Sequence, residues 1–150
     1  MRIGALSRGC VVSLLLSAVG SPAIAQSSPP ESPQAKKIVA LVEKAAALVD
    51  AKGKAAFIKQ CASCHTIEKG DPNRFGPNLS GIVGSKAATV PGFDYSRAFK
   101  NAAKWEWSED ALASWIMFPG TMVPGTAMAI FPGAPERDRD DIVAYLASKK

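Results

Sequence analysis

The stretch KQCASCHTIEKG, Lys59 to Gly70, carries the only histidine of the 150-residue chain, His65, directly behind two cysteines three positions apart, Cys61 and Cys64. Such a run is open to four chemistries. It can belong to a structural zinc site, a dithiol redox pair or a plain disulfide, or it can attach a porphyrin through both thiols with the imidazole beneath the metal. The rest of the chain decides among them.

Upstream of the motif, Lys54 to Cys61 reads as a helical stretch, with Gly53 and Phe57 one turn apart on the same face. Before it, Ala35 to Val49 carries Ile38, Leu41, Val42, Ala45 and Leu48 at helical spacing, and Asp50 to Gly53 is expected to interrupt the helix. Residues 35–52 therefore read as an additional N-terminal helix and residues 53–150 as the main domain. Residues 26–34 (QSSPPESPQ) are a Pro/Ser-rich linker. Arg2 and Arg8 precede an apolar run from Cys10 to Val19, and Ala23-Ile24-Ala25 offers a small-x-small cleavage pattern, so residues 1–25 read as a cleaved signal peptide. The run falls short of the roughly 20 residues of a spanning helix. An uncleaved anchor is the alternative. The expectation is an exported, periplasmic protein with no integral membrane segment once the signal is removed.

Cleavage removes Cys10, Arg2 and Arg8, leaving two thiols and 16 basic against 13 acidic residues, a net charge of +3. That balance lacks the clustered charge of a nucleic-acid binder. With 47% apolar residues the chain can build one compact core, and a monomer is expected.

Downstream, residues 70–92 hold five glycines and three prolines and leave little room for regular structure. Ser108, followed by Glu109 and Asp110, reads as the N-cap of a helix that turns Leu112, Trp115 and Ile116 inward and stops before Pro119. Residues 120–133 read as loop. Glu136 to Ser148 is an amphipathic helix with Ile142, Tyr145 and Leu146 on one stripe. No segment alternates with period two. The fold class is all-α, three to five helices with long loops, and loops this long in so small a domain call for something non-protein to hold them.

Structural zinc needs four ligands, and after cleavage only three sulfur or imidazole groups remain, all within five residues. A thioredoxin-like pair follows a strand, and none precedes Cys61. A plain disulfide leaves His65 and the loop-rich middle without a role. Covalent c-type haem accounts for all three residues, with His65 as proximal ligand. A single histidine excludes bis-histidine ligation within one molecule, which leaves methionine, the partner that raises the potential of electron-carrying cytochromes. Met117 sits on the predicted helix beside Trp115, where packing is its ordinary role. Met122 and Met128 both lie in the loop FPGTMVPGTAM, and Met128 is favoured because Pro124-Gly125-Thr126 can present it on an extended chain, with Thr126 near enough to hydrogen-bond.

From Gly53 to Lys149 the chain resembles a class I cytochrome c of the mitochondrial and bacterial c2-like type. Six blocks carry the resemblance in order: GKAAFIKQCASCHTIEKG, GPNLSGIVG, PGFDYSRAFKN, W-SEDALASWI, VPGTAM and ERDRDDIVAYLASK. The resemblance implies one covalent haem c wrapped by the helices, with His65 and Met128 as iron ligands. It implies that the Pro77 carbonyl receives the Nδ1–H of the ligating histidine, and that Gly53 and Phe57 pack against Tyr145 and Leu146. Tyr95 and Trp107 match positions whose polar hydrogens meet a buried haem propionate.

The departures are informative. Ser85 replaces an arginine near a propionate. Trp115 stands where a tyrosine commonly bonds the axial sulfur, and an indole N–H has a different reach. Lysines that ring the haem edge in mitochondrial proteins are absent at Gln60, Gly120, Thr121 and Ala127, which removes the usual basic steering toward acidic partners.

With both axial positions filled by protein, the implied role is one-electron transfer between redox proteins (a membrane oxidase, a reductase or a periplasmic dehydrogenase) and not enzymatic catalysis. The alternatives are a haem-based ligand sensor or peroxidase-like enzyme with a labile methionine, or a haem module docking on a larger dehydrogenase through residues 35–49.

Overall fold

The computed structural model describes residues 32–150. The expected signal peptide and residues 26–31 of the linker lie outside these residues. Helix α1 spans Pro33–Gln60, α2 Arg97–Ala102, α3 Glu109–Met117, α4 Pro119–Met122 and α5 Glu136–Ser148, with a 3₁₀ turn at Ala127–Ile130. Among the described residues the only β pairing is an isolated bridge between Lys86 and Glu106. The all-α expectation holds.

Helix α1 starts at Pro33, two residues before the sequence suggests. Ser32 caps it by accepting a hydrogen bond from the Ala35 amide at 3.1 Å, and proline at the first position gives up an amide that has no helical partner anyway. The helix then runs unbroken through Asp50–Gly53, where an interruption is expected. Gly53 reads as a breaker but serves packing. A Cβ there would overlap the Asp141 carbonyl and the Tyr145 side chain, so the missing side chain lets α5 sit directly on α1. The helical cost of glycine, about 1 kcal/mol, is offset by that close approach.

Ile38, Val42, Ala45, Val49, Gly53, Ala56 and Gln60 follow at steps of three and four residues and so form one line along α1. Only its second half is covered. Gly53, Ala56 and Phe57 are buried, and the Phe57 and Tyr145 rings meet at 5.7 Å. Across the same contact Lys59 and Gln60 donate to Asp138 at 3.1 and 3.0 Å. Their hydrogen bonds, Gln60 first, hold the Asp138 carboxyl below its ordinary pKa.

Helix α5 keeps the expected bounds and stripe, with Ile142, Tyr145 and Leu146 nearly inaccessible. Helix α3 turns Leu112, Trp115 and Ile116 inward and is capped by Ser108, as read from the sequence. Met117, expected to pack in the core, is only half-buried and lies outside it. The 120–133 loop contains α4 and the 3₁₀ turn, both too short to leave a periodic signal. Helix α2 was likewise invisible by periodicity, although Ser96 caps it through the Phe99 amide at 3.2 Å. Phe99 is the hub of an aromatic cluster, packing on Tyr95, Trp105, Trp107 and Trp115 at 5.0 to 6.3 Å.

Candidate functional site

Helices α3 and α5, the end of α1 and the loops between them enclose a cavity of about 240 Å³. The C-terminal end of α1 delivers Cys61, and the turn that follows delivers Cys64 and His65. The backbone keeps this turn tight: the amides of Cys64 and His65 both bond to the Cys61 carbonyl, at 3.0 and 2.9 Å. All three side chains line the cavity. The two thiols are free. Burial, reinforced by the neighbouring Cys64, pushes the Cys61 thiol up to about 12, so it stays protonated.

The His65 ring is fixed from two sides. Its Nδ1 lies 2.8 Å from the Pro77 carbonyl, which can only accept, so Nδ1 carries the proton and Nε2 keeps a lone pair. Burial lowers the imidazole pKa and the Pro77 bond partly opposes this. Gly76 closes the other side, since a Cβ there would overlap the ring itself. The sequence reading passed over Gly76, although its place immediately before Pro77 was the available signal. Asn78 was also missed. Its side-chain amide ties together Thr66, Glu68 and Asp71, and its carbonyl oxygen accepts from Ser80, which locks the loop that carries Pro77.

Met128 lies on the 3₁₀ turn and lines the same cavity. Trp115 Nε1 donates to its sulfur at 3.0 Å, so the indole reaches as far as the position requires. Thr126 is buried and caps the turn, its hydroxyl accepting from the Met128 amide at 3.4 Å. Met122 is exposed at the end of α4 and does not line the cavity.

Tyr95 and Trp107 also line the cavity. The Tyr95 hydroxyl accepts from the Val90 amide at 3.3 Å, which leaves its proton free to donate. Burial raises its pKa, keeping that proton in place. Ser85 does not face the cavity; its hydroxyl closes a local turn onto the Ile82 carbonyl at 2.7 Å. Of the four positions without lysine, Gln60 and Ala127 line the cavity beside the exposed Phe75 and Ile130. The lining is largely apolar, and its one carboxylate, Asp94, is paired with Lys100 at 2.6 Å.

These residues fit a haem. Two unpaired thiols stand one turn apart, an oriented imidazole has a free Nε2, and a thioether and protonated donors line the same apolar cavity. The cytochrome c family model matches residues 51–150. Cytochrome c of Gossypium barbadense is 42% identical over 95 residues, covering 63% of this chain and 84% of that protein. A cytochrome c homolog of Bradyrhizobium diazoefficiens is 42% identical over 109 residues, 71% of this chain but 58% of the relative. Among solved structures, cytochrome cH from Methylobacterium extorquens matches with TM-score 0.58 and 40% identity, covering 66% of this chain and 97% of that one. The chain belongs to the cytochrome c family: a haem electron carrier of class I with one covalently attached haem c.

Proposed function

We propose that the protein carries single electrons between exported or membrane-bound redox proteins through a haem ligated by His65 and Met128. The observation that carries this reading is the pairing of two oriented donors in one apolar cavity. His65 is held through Pro77, and Met128 is held through Trp115 and Thr126. Haem supplies the one-electron iron couple. The chain's residues do the rest. Cys61 and Cys64 anchor the group, the apolar walls exclude water, and Tyr95 and Trp107 offer donors to its propionates. The Trp115 N–H withdraws electron density from the Met128 sulfur, which favours a higher potential. His65 and Met128, fixed by Pro77 and Trp115, would keep reorganisation of a bound haem small.

This reading includes the periplasmic side of a membrane as the site of action, because residues 1–25 carry the features of an export signal. Among the described residues no helix is long and apolar enough to cross a membrane. The largely apolar lining, which lacks lysine and includes Gln60, Phe75, Ala127 and Ile130, suits a redox partner that docks by apolar contact and not by basic steering.

The test is a visible and near-infrared spectrum of the haem protein, oxidised and reduced. Wild type is expected to be low-spin with a sulfur-to-iron charge-transfer band. Met128→Ala is expected to lose that band and Met122→Ala to keep it. A high-spin wild type, or a band that survives Met128→Ala, removes the His65/Met128 assignment and favours a ligand-binding role. Trp115→Phe is expected to keep the ligation but lower the midpoint potential, read by redox titration.

A further inference from the structure

The N-terminal 20 residues of α1, 33–52, extend about 30 Å and keep their apolar side uncovered. Ile38, Leu41, Val42 and Leu48 are each more than half exposed, with Val39 and Val49 close to half. Exposed area of this kind sums to roughly 600 Å² on one copy, at the upper end of what a monomer's surface carries without a partner. The cover ends where α5 ends: Ser148, its last residue, bonds to Asp50 at 3.2 Å, and among the described residues no other element is seen to pack further along α1.

We propose that this uncovered half pairs with the same half of a second copy, antiparallel, to form a weak two-fold dimer. Shape selects the occupant. The bare line through Val42 and Val49 continues directly into Gly53 and Ala56, on which α5 already sits. The domain therefore stands on the same side of α1 as the apolar face. A flat bilayer laid along that face meets the domain before it meets the helix. A parallel pair fails for a related reason, because both domains would occupy one space at the interface. In an antiparallel pair the two overhangs are equal in length. Each helix then ends, at Pro33, beside the C-terminal end of the other copy's α5. Glu43 and Lys44 lie off the apolar face, while Lys52, one turn after Leu48, and Asp50, bonded to Ser148, stand at its domain end, where their charges stay in water. The area removed, at most on the order of 1,200 Å² over both copies, does not exceed the lower limit for a specific interface. A reversible dimer is the consequence, in place of the monomer expected from sequence.

Sedimentation equilibrium of the haem-loaded chain from Gln26 onward, followed at the haem absorbance from micromolar to near-millimolar concentration, tests this. The expected result is a twofold rise in mass with concentration. Val42→Asp, on the apolar face, is expected to abolish the rise. Ala47→Asp, the same change on the opposite face, is expected to leave it intact, with the haem spectrum of both variants unchanged. A monomer at every concentration overturns the proposal. So does a dimer that survives Val42→Asp, which puts the contact elsewhere, and so does equal loss in both variants. A monomer that co-sediments with vesicles of anionic phospholipid overturns it in favour of a bilayer. None of these outcomes depends on which methionine ligates the iron.

Discussion

The two halves of α1 share a nonpolar spacing and have opposite fates. Ile38, Val42, Ala45 and Val49 in the first and Gly53 and Ala56 in the second follow at steps of three and four, with lysines on the remaining faces. From Gly53 onward the stripe is buried under α5, while up to Val49 it is bare. The difference lies in the length of the cover and in Gly53, whose missing side chain lets α5 sit on the second half. Burial makes the second half part of the haem domain, because the turn it ends in carries Cys61, Cys64 and His65. The first half is continuous with it in backbone only.

Substitutions can sharpen or break that contrast. The largest effect is expected at Gly53. Gly53→Leu pushes a side chain into the Asp141 carbonyl and Tyr145, and should cost about 4 kcal/mol or more, the tail of single substitutions. Loss of haem incorporation or a collapsed midpoint in guanidinium unfolding would register it. Phe57→Ala, which removes a buried ring packed on Tyr145, should cost about 3 kcal/mol by the same measurement.

Asp138→Asn comes next, with an effect that depends on pH. The folded carboxyl titrates below its ordinary value because Gln60 and Lys59 bond to it. Its contribution is therefore fully present above the unfolded pKa, near 3.8, and is lost as pH falls through the lower folded value. The stability difference between wild type and Asp138→Asn should be present at neutral pH and shrink below about pH 4. A difference that grows on acidification would contradict the assignment. The smallest effect is expected on the bare half. Leu41→Ala, at dilution where the chain is monomeric, should change stability by less than about 0.5 kcal/mol. A loss comparable to Phe57→Ala would mean that the two halves are not as different as their exposure indicates.

Much of the haem end was legible from residues alone. Cys-x-x-Cys-His has few uses, and a thiol pair followed by the only imidazole narrows them further. Helices α3 and α5 were legible because each repeats its apolar positions over several turns. Helix α2, α4 and the 3₁₀ turn are too short for that. The packing of Gly53 on α5 was implied by the resemblance and is found, whereas the break expected over Asp50–Gly53 is absent, because a glycine's helical cost is read locally and the contact that offsets it lies some ninety residues away in sequence.

Sequence by itself determined that the chain holds a thioether-attached group and that the fold is helical, and it singled out His65 as the proposed ligand, since each follows from residue chemistry at short range. Sequence already favoured Met128 over Met122; only the tertiary structure brought Met128 to the cavity wall, aimed the Trp115 N–H at its sulfur, and left one half of α1 uncovered among the described residues. Those features depend on where distant segments meet, and hydrophobic spacing along one helix is the same whether or not anything lies against it.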